Sequence, residues 1–144
     1  MVFRNILVAL DRSPTARRAL EEAADLAEAL HAKLTIISVE PGVPPAAPMA
    51  GVDPGAMARG LETDTEKLLH EACDWLPPEL PVTLVHKHGN PGERIVEQIA
   101  AGQHDLLAMG SRGRGRVAES LFGSTAGYVH WHSRVSMLVI HPEE

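Results

Sequence analysis

The chain has 144 residues, 44% hydrophobic and 22% charged, with a formal net charge of −6 and aromatics at only 3%. That length suits one domain whose core needs no disulfide or metal and is built from Ala, Val, Leu and Ile. The acidic balance argues against a nucleic-acid or anionic-membrane binder, no run approaches the roughly 18 apolar residues of a membrane span, and the lone Cys73 excludes an internal disulfide.

The first element is the apolar run Arg4 to Leu10, of the kind buried on both faces in a parallel sheet. It is broken by Asp11 with no small-residue cleavage site, so it is read as a strand and not a signal peptide, and a cytoplasmic location is expected. Ser13-Pro14 supplies an N-cap and a proline at the first helical position, and Ala16, Ala19, Leu20, Ala23, Leu26, Ala27 and Leu30 recur at helical spacing. Lys33 to Glu40 is a second strand. The proline-dense segment from Pro41 to Gly55 is a long loop. Leu61, Thr65, Leu68, Leu69, Ala72, Trp75 and Leu76 share one face of the next helix, with Cys73 expected as a small buried hydrophobe. Pro81 to His88 is a third strand, and Asn90-Pro91 caps a helix carrying Ile95, Val96 and Ile99. His104 to Gly110 is a fourth strand, a last helix starts near Ser124, and Val135 to Ile140 closes as a fifth strand.

Strands alternating with helices predict a single α/β domain over residues 1–144, an open parallel five-stranded Rossmann-like sheet with helices on both faces. Ligands of such sheets sit beyond the carboxyl ends of the strands, where strand order reverses. The segment from Gly110 to Gly127, GSRGRGRVAESLFGSTAG, lies at that edge and puts three arginines on an acidic protein. It is not a P-loop, because no lysine follows Lys87. A G-x-G-x-x-G/A match at Gly113, Gly115 and Ala118 follows the fourth strand instead of the first and lacks the later acidic residue, so it is set aside.

Gly110-Ser111-Arg112-Gly113, then nine residues, then Gly123-Ser124 reproduces the pattern G-x2-G-x9-G-[S/T]. With ILVALDRS at the start and MLVI at the end, the chain resembles the ATP-binding branch of the universal stress protein family, of adenine nucleotide α-hydrolase-like fold, over nearly its whole length. The resemblance implies that Gly110, Arg112, Gly113, Gly123, Ser124 and Thr125 surround the triphosphate and ribose of ATP. It also implies Asp11 near the ribose or a phosphate-bound Mg2+. Ala9, Leu10, Val39 and Met109 would line the adenine slot, the Val39 backbone reading the base edge. The chemistry agrees: glycines let backbone N–H groups approach phosphates, and a helix starting at Ser124 favours negative charge. AMP and cyclic AMP would share the same slot.

Two positions depart from the family. Arg12 stands where glycine is common, and either reaches the phosphates or crowds them; Ser136 stands where a proline often precedes the last apolar run. The missing proline leaves the last strand free to pair with its copy in an antiparallel homodimer, as the resemblance implies. Phe122, Tyr128 and Trp131 form either a local cluster or interface, or plain core packing. His86 and His88 share a strand face, whereas His130 and His132 do not share a helix face. No Cys or carboxylate stands beside either pair in the sequence, and no metal site is expected.

The leading expectation is an ATP-binding stress or signalling protein that acts through nucleotide-dependent conformation or partner binding, without nucleic-acid or membrane contacts. No catalytic residue is assigned, and turnover extends at most to slow hydrolysis or autophosphorylation at Ser124 or Thr125. The alternative is an ATP-hydrolysing or pyrophosphatase-type enzyme of the same fold group. Such enzymes carry an SGGxDS-like loop after the first strand, for which LDRSPTAR offers no glycine. A partner-binding domain that has lost nucleotide is the third reading, and the intact glycine motif counts against it.

Overall fold

Three polar side chains start three of the helices. Ser13 accepts from the Ala16 N–H, Asp53 from Gly55 and Asn90 from Glu93, at 3.2, 3.1 and 3.0 Å, and a proline follows each cap. The computed structural model describes residues 2–111 and 123–143. In chain order the elements are β1 (Asn5–Ala9), α1 (Pro14–Leu30), β2 (Lys33–Glu40), α2 (Pro54–Asp74), β3 (Val82–His88), α3 (Pro91–Gly102), β4 (Leu106–Gly110), α4 (Ser124–His132) and β5 (Ser136–Ile140). The expected loop after β2 contains a 3-10 turn at Pro48–Ala50 and ends sooner, because Asp53 already caps α2. Trp75 and Leu76 follow the end of α2, yet both still pack against the core. Helices α1 and α3 stop at His31 and Gln103, both in the left-handed conformation at φ 54°.

All five strands are parallel, in the order β3-β2-β1-β4-β5. From β1 the chain steps outward twice, to β2 and β3, then returns to the other side of β1 for β4 and β5. Right-handed crossovers in opposite directions must place their helices on opposite faces. Ile6 and Val8 of β1 accordingly pack with α1 and α2, whereas Leu7 packs with α3 and α4. The buried face of α1 is a stripe of alanines, Ala16, Ala19, Ala23 and Ala27, which lets the helix lie close to the sheet. The interior strand β4 is buried along its whole length, as its unbroken apolar sequence requires. The edge strand β3 carries Thr83, His86, Lys87 and His88, and β5 forms the opposite edge. Cys73 is half-buried and free. Among the described residues no helix is long and apolar enough to cross a membrane.

Candidate functional site

The reversal of strand order falls between β1 and β4, and a cleft of about 330 Å³ opens beyond their carboxyl ends. That is the place the doubly wound topology offers a ligand, and the size suits a small molecule. Its lining includes Ala9, Leu10, Asp11, Val39, Met109, Gly110, Gly123, Ser124 and Thr125. The structure thus gathers nine residues singled out from the sequence, drawn from segments far apart in the chain. Arg112 and Gly113 lie outside the described residues, as does Phe122.

One end of the cleft is apolar. Ala9 and Met109 meet Ile37, Val39 and Ile95, and Leu61 and Leu68 of α2 supply a further wall. The Val39 backbone has a particular position here. Pairing of β1 with β2 stops at Ala9↔Ile37, and the Ile37 carbonyl accepts from the Leu10 N–H at 2.9 Å. Backbone groups alternate in direction along a strand, so the Val39 N–H and C=O point the same way as those of Ile37, past the end of β1 and toward the cleft. Buried Ser38 donates its hydroxyl to the Leu10 carbonyl at 3.0 Å and holds that strand end in place.

The other end is polar. Helix α4 begins with Gly123 at its N-cap, and among the described residues no side chain caps its first-turn N–H groups. Ser111 ties this end to the sheet: its N–H donates to the Ile140 carbonyl at 2.8 Å and its carbonyl accepts from the Gly123 N–H at 2.6 Å. The Ser111 hydroxyl is buried in the cleft wall with no hydrogen-bond partner among the described residues. Asp11 is half-buried, with Oδ1 accepting from the Ser13 N–H at 2.8 Å. Arg12 is turned toward α2, 3.4 Å from the Glu71 carboxylate and 3.3 Å from the Asp64 carbonyl.

Two glycines have distinct local settings. Gly110 is an ordinary strand residue, and a Cβ there would stand 2.9 Å from the Thr15 Cβ and 3.1 Å from the Ala16 nitrogen, so close packing of α1 already demands glycine. Gly123 has φ −65° and ψ 169°, a conformation open to any residue, so no left-handed turn requires it. Sequence reading missed Ser111 and the α2 wall, since Leu61, Thr65 and Leu68 carry only the signal of a core-facing helix stripe. The aromatic residues separate. Tyr128 fills the space left by Gly92, where a Cβ would come within 2.6 Å of its ring, and stacks on His132 at 3.9 Å, whereas Trp131 is 81% exposed.

Residues 2–141 match the model of the universal stress protein family. The universal stress protein Sll1388 of Synechocystis sp. is 28% identical over 155 residues, covering 97% of this chain and 99% of its own. Among solved structures, the protein MJ0577 superposes with a TM-score of 0.84 at 21% identity, covering 100% of this chain and 99% of that one. UspA from Lactobacillus plantarum gives 0.73 at 23% identity, covering 97% and 99% of the two chains. A universal stress protein crystallised in complex with cAMP gives 0.68 at 25% identity, covering 98% of each.

Proposed function

The chain belongs to the universal stress protein family, and on that premise we propose that it binds an adenine nucleotide, ATP, and acts through the conformation or partner affinity that the nucleotide sets. One observation carries the reading: a single cleft is lined both by apolar residues at the β2 strand end and by the N-terminus of α4, which among the described residues has no side-chain cap. The slot suits a flat base, with the Val39 N–H and C=O reading its edge. The helix terminus suits phosphates, because its free N–H groups and dipole favour negative charge. Ser124, Thr125 and the orphaned Ser111 hydroxyl add donors on the same side. Asp11 would repel bare phosphates and is placed to approach a phosphate-bound Mg2+. The relative crystallised with cAMP supports the ligand class.

Binding is favoured over catalysis by the lining. Among the described residues the cleft shows no His, Glu, Lys or Cys, and its only titratable acids are Asp11 and Asp64. Edge strand β5 further supports a homodimer. The Ile140 carbonyl accepts from the Ser111 N–H of the β4 side, so by alternation the N–H and C=O groups of Met137 and Val139 point outward, where no other described strand lies, and can pair with a second copy.

The direct test is mass spectrometry of small molecules released when the purified protein is denatured, beside a thermal shift with added ATP. Recovery of an adenine nucleotide, or a saturable shift of several degrees, is expected. Phosphate release is expected to stay far below the roughly 1 s⁻¹ usual for an evolved hydrolase. Absence of both nucleotide and shift would overturn the assignment, and turnover near that rate lost in Asp11→Asn would replace it with an enzyme.

A further inference from the structure

The pair His86 and His88, which has no carboxylate beside it in the sequence, acquires one from the neighbouring strand. Register pairs Ser38 with His86 and Glu40 with His88, so Glu40 stands next to both imidazoles on one face of the sheet. The carboxylate divides between them: Oε1 lies 3.4 Å from His86 Nε2 and Oε2 lies 2.6 Å from His88 Nδ1. One ligand atom from each of the three residues falls within 4.8 Å of the others.

We propose that Glu40, His86 and His88 form a binding site for a divalent transition-metal ion of the Zn2+ type. The Glu40 side chain is only 8% exposed, and its Oε1 has no hydrogen-bond partner among the described residues. Buried His86 Nε2 is likewise unpartnered, although the two atoms face each other. A buried carboxylate oxygen opposite a buried ring nitrogen, neither satisfied, is a costly arrangement that a shared cation resolves. Ligand bonds of about 2.1 Å at tetrahedral angles put donor atoms roughly 3.4 Å apart. The separation of Glu40 Oε1 from His86 Nε2 already has that value, which makes Oε1 the donor oxygen. His88 Nδ1 now sits against the other oxygen, Oε2, and its exposed ring has room to turn toward a metal held by Oε1 and His86.

Protonation is compatible with binding. His86 carrying its proton on Nδ1 and His88 carrying its proton on Nε2 present their other nitrogens to the metal, so two neutral imidazoles and one carboxylate leave a bound M2+ at net charge +1. Two nitrogens against one oxygen select Zn2+, Ni2+ or Cu2+ over Mg2+, which favours oxygen donors alone. Three protein ligands at a sheet edge leave a fourth position for water or an outside ligand. None of Glu40, His86 and His88 is among the residues that line the cleft.

The test is titration of the untagged, metal-stripped protein with Zn2+ by calorimetry, and with Co2+ as an optical probe of coordination. One equivalent is expected to bind in wild type, with a tetrahedral Co2+ spectrum that a large excess of Mg2+ leaves unchanged. Removing a second-sphere partner of a metal site typically costs 10–100-fold in affinity, so loss of a direct ligand in His88→Ala, His86→Ala or Glu40→Gln should cost about 100-fold or more. His88→Ala is the safest of these for folding, because it truncates a side chain that is 65% exposed. His130→Ala/His132→Ala should bind Zn2+ as wild type does. The proposal is overturned if wild type takes up no Zn2+, or if His88→Ala binds it unchanged in a protein whose thermal unfolding matches wild type.

Discussion

Replacing Gly123 by valine tests the polar end of the cleft without straining the chain. At φ −65° and ψ 169° valine meets no backbone barrier, and the native N-cap makes no side-chain hydrogen bond to lose. Valine's poorer aptitude as a cap costs about 1 kcal/mol or less of unfolding free energy. Its isopropyl group would stand before the first N–H groups of α4, where a triphosphate is proposed to pass. Wild type at a hundred times its Kd for ATP should gain about 2.7 kcal/mol. For a domain of this size that is roughly a 10 °C rise in Tm. If the valine lowers affinity 100-fold, the same ATP concentration equals Kd, and the gain falls to about 0.4 kcal/mol, or 1–2 °C. AMP has no β- or γ-phosphate to collide with the valine, so its smaller shift should survive the substitution. Differential scanning fluorimetry with both nucleotides reads all of these values. A variant that keeps the whole ATP shift would show that the phosphates do not run past α4.

Gly110→Ala should act differently: its methyl would collide with Thr15 and the Ala16 nitrogen, lowering stability by about 1–3 kcal/mol in urea unfolding without ligand. Burial holds the His104 pKa below its ordinary 6.5, against the opposing influence of the Asn5 backbone and the Asp105 carboxylate. Between the lowered value and 6.5 the unfolded chain binds more protons than the native one, so this contribution is full above about pH 6.5 and is lost as pH falls. Denaturation curves of His104→Gln and wild type should therefore converge on acidification; a constant difference across pH 5–8 would refute the assignment. Val139→Pro removes an outward N–H from edge strand β5 and leaves the ladder to β4 intact, so light scattering should show a dimer become a monomer.

Much of the fold is legible in the sequence because its signals are local. A serine or asparagine before a proline starts a helix wherever the chain later goes, and apolar runs of strand length between helical stripes leave a parallel sheet as the way to bury both. The cleft's position at the strand ends follows from that order, and the family resemblance implies nine of its residues. Tertiary structure decided what depends on neighbours remote in the chain. Gly110 is glycine because Thr15 of α1 lies against it, whatever its part in a phosphate site. The α2 wall of the cleft comes from a helix whose stripe is indistinguishable from ordinary core until the sheet is assembled. Glu40 lies 46 and 48 positions from the two histidines it meets, and only the β2–β3 register puts them together. A shift of one residue would turn the carboxylate to the other face, since side chains alternate along a strand, and that register is set by burial of the whole sheet.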